Sequence, residues 1–149
     1  MLPSQIRETI LERHRRLVPL LDAAEEAAER AIVGEASEAE LRARMEELER
    51  AYRDLVEEER ALLRPELEEV DAWGGERAAA LDRVHLRQRL RLARTRQVSE
   101  EGGIAPRQLA RKVIRTVEAI RAELQRHERR FLSPDLLRDD LVVVAQSDG

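Results

Sequence analysis

Apolar residues return every three or four positions along most of this chain, the pattern of helices that bury one face. In the first such segment, about 5–32, Ile6, Ile10, Leu17, Leu21, Ala24 and Ala28 carry the rhythm. Ser4 is placed to cap it, and Pro19 predicts a kink because it removes one backbone hydrogen bond. After the GEAS loop, Ser37 with Glu40 forms a capping box that opens a second helix over about 38–71. Pro65 is expected to bend or restart that helix near its end. AWGG, 72–75, breaks the pattern, with Gly74 or Gly75 suited to close the helix in the left-handed conformation. A third helix over about 76–98 leads into EEGGIAP, where Pro106 fits the first position of a fourth helix running to about 132. SPDLL then reads as a fresh helical turn with Ser133 as its cap and Pro134 behind it. Long helices joined by short loops predict an all-α fold, an up-down-up-down four-helix bundle over 1–136. The tail, 137–149, contains LVVV, which reads as a strand or as a peptide that docks on a surface.

Ionisable residues interrupt the apolar stripes. The second helix reads Leu41, Met45, Leu48, Tyr52, Leu55, Glu59, Leu62, so Glu59 takes a slot the pattern gives to an apolar residue. The first reads Ile10, His14, Leu17, Leu21, and the third reads Ala78, Leu81, His85, Gln88, Leu92. The fourth reads Val113, Val117, Ile120, Leu124, then His127 or Glu128, then Phe131. Each helix thus directs one coordinating side chain toward the axis. Heights follow from a rise of about 1.5 Å per residue. His14 lies roughly 20 residues before the first loop and Glu59 roughly 22 after it. Glu59 stands roughly 12 before AWGG and His85 roughly 10 after, so these three share a layer. His85 and Glu128, roughly 16 and 22 residues from their loop, meet only if EEGGIAP climbs to absorb the offset.

Glu59 and Glu128 also share a local pattern: each stands six residues before a proline, in EERALLRPEL (58–67) and HERRFLSPDL (127–136). Burying two glutamates without compensation costs several kcal/mol. Two neutral histidines and two carboxylates around a divalent ion balance that charge, in a site chemically suited to Fe, Mn or Zn. Two protonated histidines with two carboxylates balance it equally well without metal, and the residues alone leave both readings open.

Composition narrows the chemistry. Apolar residues are 42% of the 149-residue chain, charged residues 39% and aromatics 2%, which favours long helices over sheet. With no cysteine, disulfides, thiolate metal sites and cysteine nucleophiles are excluded. The serines look like caps or loop residues, so a hydrolytic triad is not supported, and no pocket for an organic substrate is legible. Tyr52 reads as core packing that could line a pocket, and Trp73 as a lid on the bundle end. A haem between His14 and His85 is disfavoured because Glu59 would abut the macrocycle. The net charge is −4, yet residues 22–71 hold 18 acids against 7 arginines while 83–130 hold 14 bases against 5 acids. Acidic and basic helices that neutralise each other account for this better than nucleic acid does, since no aromatics are interleaved with the bases. No apolar run reaches membrane-spanning length, and MLPSQIRETILERHRR has no signal-peptide core, so the expected location is the cytoplasm.

Four segments, ILERHRRL (10–17), EERALLRPEL, DAWGGERAAALDRVHLRQR (71–89) and HERRFLSPDL, resemble in order and spacing those of the hemerythrin-like, cation-binding family. The resemblance implies a four-helix bundle with a non-haem di-iron site that binds or senses oxygen or nitric oxide or carries redox chemistry. It matches His14 and His85 to histidine ligands and Glu59 and Glu128 to the two bridging carboxylates. Where the family has a histidine four residues before the helix-2 glutamate, this chain has Leu55. Leu124, or Glu123 at a spacing of five, replaces the helix-4 histidine, and Arg89 stands one turn after His85 where a second helix-3 histidine is absent. The expectation is therefore a reduced site, mono- or dinuclear, on His14, Glu59, His85 and Glu128, with His127 and Glu123 as substitutes. His127 is expected to serve only if the fourth helix rotates. The implied ligands are a metal ion, iron before manganese or zinc, and dioxygen or nitric oxide. Membrane and nucleic acid are not expected partners. A homodimer or a protein partner held through the charged helices or the tail is the competing role, a metal-free structural or interaction module.

Overall fold

The computed structural model describes residues 1–140. Helix α1 is Pro3–Ile32, α2 is Glu38–Glu58, α3 is Arg64–Glu69, α4 is Gly74–Glu101 and α5 is Pro106–Phe131. A π-helical turn, Glu59–Leu63, joins α2 to α3 without a break, so the three pieces form one rod. The result is an all-α four-helix bundle in which α1 packs on α2 and α5, and α4 packs on α2, α3 and α5. No described helix is long and apolar enough to cross a membrane.

Several local expectations are corrected. Leu2, not Ser4, is the N-cap of α1, with Pro3 in the first turn. Ser4 instead ties down the other terminus: its amide and hydroxyl donate to Asp139 at 2.9 and 2.7 Å. Pro19 lies inside α1 as expected, and the helix continues past it over 30 residues. Ser37 accepts from the Glu40 amide at 3.2 Å as predicted, but the Glu40 carboxylate pairs with Arg30 instead of closing the box. Neither Gly74 nor Gly75 is left-handed; positive φ occurs at Gly34, Gly102 and Gly103. Gly74 opens α4, and a Cβ there would stand 2.2 Å from the Glu68 carbonyl oxygen, so the tight α3–α4 corner requires glycine. Trp73, expected as a lid on the bundle end, is 62% exposed and precedes α4 as its N-cap. Ser133 does start a turn, accepting from the Asp135 amide at 3.2 Å and, through its carbonyl, from Leu136 and Leu137. The LVVV segment lies outside the described residues.

The buried apolar side chains fall into two clusters. One, at the end of the bundle that holds both described chain termini, gathers Ile6, Ile10, Leu63, Leu67, Leu81 and Phe131. The other gathers Leu17, Leu21, Met45, Leu48, Val113 and Ile120 among others. Each fully buried Leu or Ile contributes roughly 1.5–3 kcal/mol, so these clusters hold the helices together. Between them lies a polar layer.

Candidate metal centre

His14, Glu59, His85 and His127 form that layer, and none is more than 5% exposed. Each comes from a different part of the bundle: α1, the first residue of the π turn, α4 and α5. The Glu59 carboxylate is the hub. Its Oε1 lies 2.8 Å from His14 Nε2, and its Oε2 lies 2.6 Å from His85 Nε2 and 3.1 Å from His127 Nε2. The last contact is close but misaligned, so His127 Nε2 is buried without a hydrogen bond, as are His85 Nδ1 and Gln88 Oε1. A cavity of about 10 Å³ beside Glu59 and His127 is lined also by Tyr52, Leu55, Gln88, Glu123 and Leu124. That is close to the smallest space that holds one water.

The local backbone explains why Glu59 sits at the hub. Pro65 has no amide hydrogen and cannot continue the α-helical ladder. One turn earlier the ladder has already widened, with the Arg64 amide reaching the Glu59 carbonyl five residues back. A wider turn puts the fourth following residue, rather than the third, on the same face. The buried series is accordingly Leu55, Glu59, Leu63, Leu67, and Leu62, expected on the stripe, is only half-buried.

α5 presents a different register from the expected one. Its buried series is Ile120, Glu123, His127, Phe131, so His127 faces the layer without any rotation of the helix from its packed position. Leu124 moves to a half-buried place. Glu128 is displaced to the rim, with 42% of its side chain exposed, where its Oε1 lies 3.1 Å from His14 Nδ1. Glu123 is buried, but its carboxylate is held by Arg87 at 2.6 Å and by Arg126. The height offset between His85 and α5 is absorbed by the connection: Gly102 and Gly103 have φ of 70° and 77°, and Thr95 pairs with Thr116 across the two helices at 2.8 Å.

Of the four residues predicted as ligands, the structure therefore gathers His14, Glu59 and His85 directly and places Glu128 behind His14. His127, named as a substitute, takes the inward position. One ligand atom each from His14, Glu59 and His127 lie within 4.8 Å of one another, a spacing that could hold a metal ion. Sequence reasoning missed the π turn altogether; Pro65 marked only that the helix would be disturbed near its end. It also had two candidates for the inward α5 position, because His127 and Glu128 both continue a three-four rhythm from Ile120.

Electrostatics follow from this geometry. Burial by itself would raise the Glu59 pKa, but the imidazoles, His127 first and then His14 and His85, hold it well below the ordinary carboxylate range. Burial pulls His14 down, yet hydrogen bonds and charge from Glu59 and then Glu128 outweigh it and leave His14 above 6.5. Both His14 nitrogens face carboxylate oxygens, and only the protonated ring carries two N–H donors. For Glu123, burial is likewise overcome by Arg126 and Arg87, which lower its pKa. Burial, then Glu59 and Glu123, raise the Tyr52 hydroxyl, which stays a neutral phenol.

The chain matches no protein-family model, no curated protein and no solved structure.

Proposed function

We propose that the protein is a hemerythrin-like bundle that binds one divalent ion in its polar layer, in the service of metal or small-gas binding or sensing. His14 Nε2, Glu59 and His127 Nε2 would hold the ion, and His85 stands beside Glu59 as a fourth donor. The observation that supports this most is His127 Nε2, a buried nitrogen 3.1 Å from a carboxylate oxygen with no hydrogen bond of its own. Such an atom is costly unless something occupies its lone pair or aligns its proton. Two imidazoles and one carboxylate suit iron(II), with manganese or zinc as alternatives. The charges of a divalent ion, Glu59 and Glu128 sum to zero, so the layer would be neutral. Glu128 then acts from behind the ligand: by accepting from His14 Nδ1–H, it fixes the tautomer that aims Nε2 inward. Bound iron would supply a centre for dioxygen or nitric oxide and for a change of oxidation state.

One observation favours a second reading. The two His14 nitrogens each face a carboxylate oxygen, of Glu59 and of Glu128. A protonated His14 would therefore offset one of the two negative charges without metal, and a second protonated imidazole would complete the balance in a metal-free structural or interaction module with a hemerythrin-like fold. Elemental analysis of protein purified without chelator, with anaerobic titration of Fe²⁺, Mn²⁺ and Zn²⁺, separates the two. One equivalent of metal, lost in His127→Ala and Glu59→Gln and retained in the rim variant Arg129→Gln, supports the centre. No metal, and no change in unfolding temperature with any of the three ions, supports the metal-free module.

A further inference from the structure

The bundle carries a second polar feature, far from neutral, that the core layer does not use. Between α4 and α5 runs an open groove of about 290 Å³ lined by Arg87, Arg91, Arg94, Lys112 and Arg115 over a Thr95–Thr116 floor. Elsewhere some arginines meet acids of neighbouring helices, while others, such as Arg89 and Arg111, have no ion pair among the described residues but do not line the groove. Arg96 meets Glu49 at 2.8 Å, Arg64 meets Asp82 at 3.2 Å, and Arg121 takes Asp22 and Glu25 together. In the groove only Arg87 is so engaged, with Glu123. Arg91, Arg94, Lys112 and Arg115 have no ion-pair partner among the described residues, in a chain whose net charge is −4. These four cations are exposed, and an anion lying between the two walls would relieve the repulsion that water only partly screens.

The placement is built by helical spacing. Arg87, Arg91 and Arg94 recur at four and three residues along one face of α4, and Lys112 and Arg115 at three along α5. The antiparallel register is fixed by the Thr95–Thr116 hydrogen bond at 2.8 Å, which sets the two walls opposite each other. Both threonines are buried, at 6% and 4% exposure. Thr95 Oγ1 also contacts the Arg91 carbonyl at 3.1 Å. Turning that proton onto Thr116 would free the Thr116 hydroxyl to donate upward into the groove. From Arg91 to Val98 the wall runs about 10 Å, the scale of a short chain of anionic groups rather than of a single ion.

We propose that this groove binds a linear oligophosphate, with its successive phosphates paired to Arg91, Arg94, Lys112 and Arg115. Guanidinium groups match phosphate oxygens in pairs, which is why three of the four free cations being arginine suits this ligand class. Tyr52 and Phe131 are buried in the core and Trp73 lies at the other end of α4, so nothing in the groove stacks on a base. That favours the phosphate chain over a single-stranded nucleic acid, which such stacking would hold. The chain could be inorganic or the tail of a nucleotide.

Calorimetric titration of the full-length protein with tripolyphosphate, ATP, orthophosphate and a single-stranded oligonucleotide tests this. One equivalent of tripolyphosphate should bind, with orthophosphate at least tenfold weaker. Equal binding of ATP would mean that only the phosphate chain is read; tighter ATP binding would identify the nucleotide as the source. Arg94→Gln and Arg115→Gln should each weaken tripolyphosphate about tenfold, whereas Arg50→Gln, an exposed cation on α2, should not. The proposal is overturned if tripolyphosphate fails to bind at low salt, or if the groove variants and Arg50→Gln weaken it alike. Tighter binding of the oligonucleotide than of either phosphate ligand overturns it as well. All three substitutions are at exposed positions, and unchanged helical circular dichroism certifies the fold.

Discussion

The segments 58–67 and 127–136 begin from nearly the same pattern of residues and end in different structures. In the first, the helix widens into a π turn ahead of Pro65, and Glu59 is carried to the centre of the bundle with three imidazoles around it. In the second, α5 stays α-helical to Phe131 and stops before Pro134. There the residue one place earlier, His127, points inward, and Glu128 is left at the rim. The proline is common to both, so it does not decide the outcome alone. What differs is whether helix must continue past it. α3 continues beyond Pro65 to pack on α4, so the backbone has to accommodate the missing amide, and a wider turn does so. After Phe131 the chain turns away and no accommodation is needed. Similar sequence therefore gives one central carboxylate and one peripheral carboxylate.

The contrast is broken most severely at the two glutamates. Removing one partner of a buried charge pair costs about 3–5 kcal/mol, because the other charge is left without compensation. Glu59→Ala should lose stability in that range in urea unfolding at pH 6, with metal excluded. Glu128→Ala removes a half-exposed carboxylate and should cost less than about 1 kcal/mol. Equal losses at the two sites would mean that Glu59 is not the hub.

Next comes the register that the π turn imposes. Leu63 is fully buried and Leu62 only half so. Leu63→Ala should therefore cost about 2–5 kcal/mol; Leu62→Ala should stay near or below about 1 kcal/mol. The reverse order, read from denaturant midpoints, would restore the ordinary α-helical register after Glu59.

That register also marks how far the sequence could be read. Three-four periodicity located all four rods of the bundle, because core burial enforces it over many turns. The polar interruptions at His14, Glu59 and His85 were legible for the same reason, since each replaced an apolar residue in an otherwise regular series. On α5 the pattern was ambiguous: after Ile120, both Leu124 and Glu123 keep the rhythm, and so do His127 and Glu128. Only packing against α1 and α4 chooses between them. The π turn was not legible, since a widened turn changes the period for a single step and then restores it. Loop details failed where one side chain had a distant option, as with Ser4, which bonds Asp139 in preference to capping its own helix.

The layer's protonation gives a third test, in which the two glutamates act together on His14. Glu59 has a lowered pKa, so the stability it contributes is present above its unfolded value near 4.5 and is lost as pH falls through the folded value. His14 has a raised pKa, so its contribution is complete below 6.5 and is lost as pH rises through the folded value. Metal-free protein should thus be most stable between about pH 4.5 and 6.5 and weaken on the alkaline side. If His14 takes an ion, the sign reverses there: metal competes with the proton on Nε2, so added Fe²⁺ or Zn²⁺ should stabilise more as pH rises from 6 to 8. Thermal unfolding across that range, with and without metal, reads both slopes. A flat metal-free profile above 6.5 would remove His14 as the titrating group.

The smallest effect on stability, and the sharpest on function, belongs to the rim. Glu128→Gln keeps an acceptor oxygen near His14 Nδ1 but removes the charge. Metal-free stability at pH 6 should change by less than about 1 kcal/mol, since the carboxylate is 42% exposed and water screens it. If Glu128 only decorates the surface, metal affinity should be equally indifferent. If instead it holds the His14 tautomer that aims Nε2 at the ion, affinity should fall by roughly 10-fold or more, as for other groups that orient a ligand from behind. The amide can also turn its NH₂ toward Nδ1, which stabilises the wrong tautomer and deepens the loss. A variant with native stability but tenfold weaker Fe²⁺ or Zn²⁺ binding would show that the second glutamate of the pair still serves the centre, one side chain removed from it.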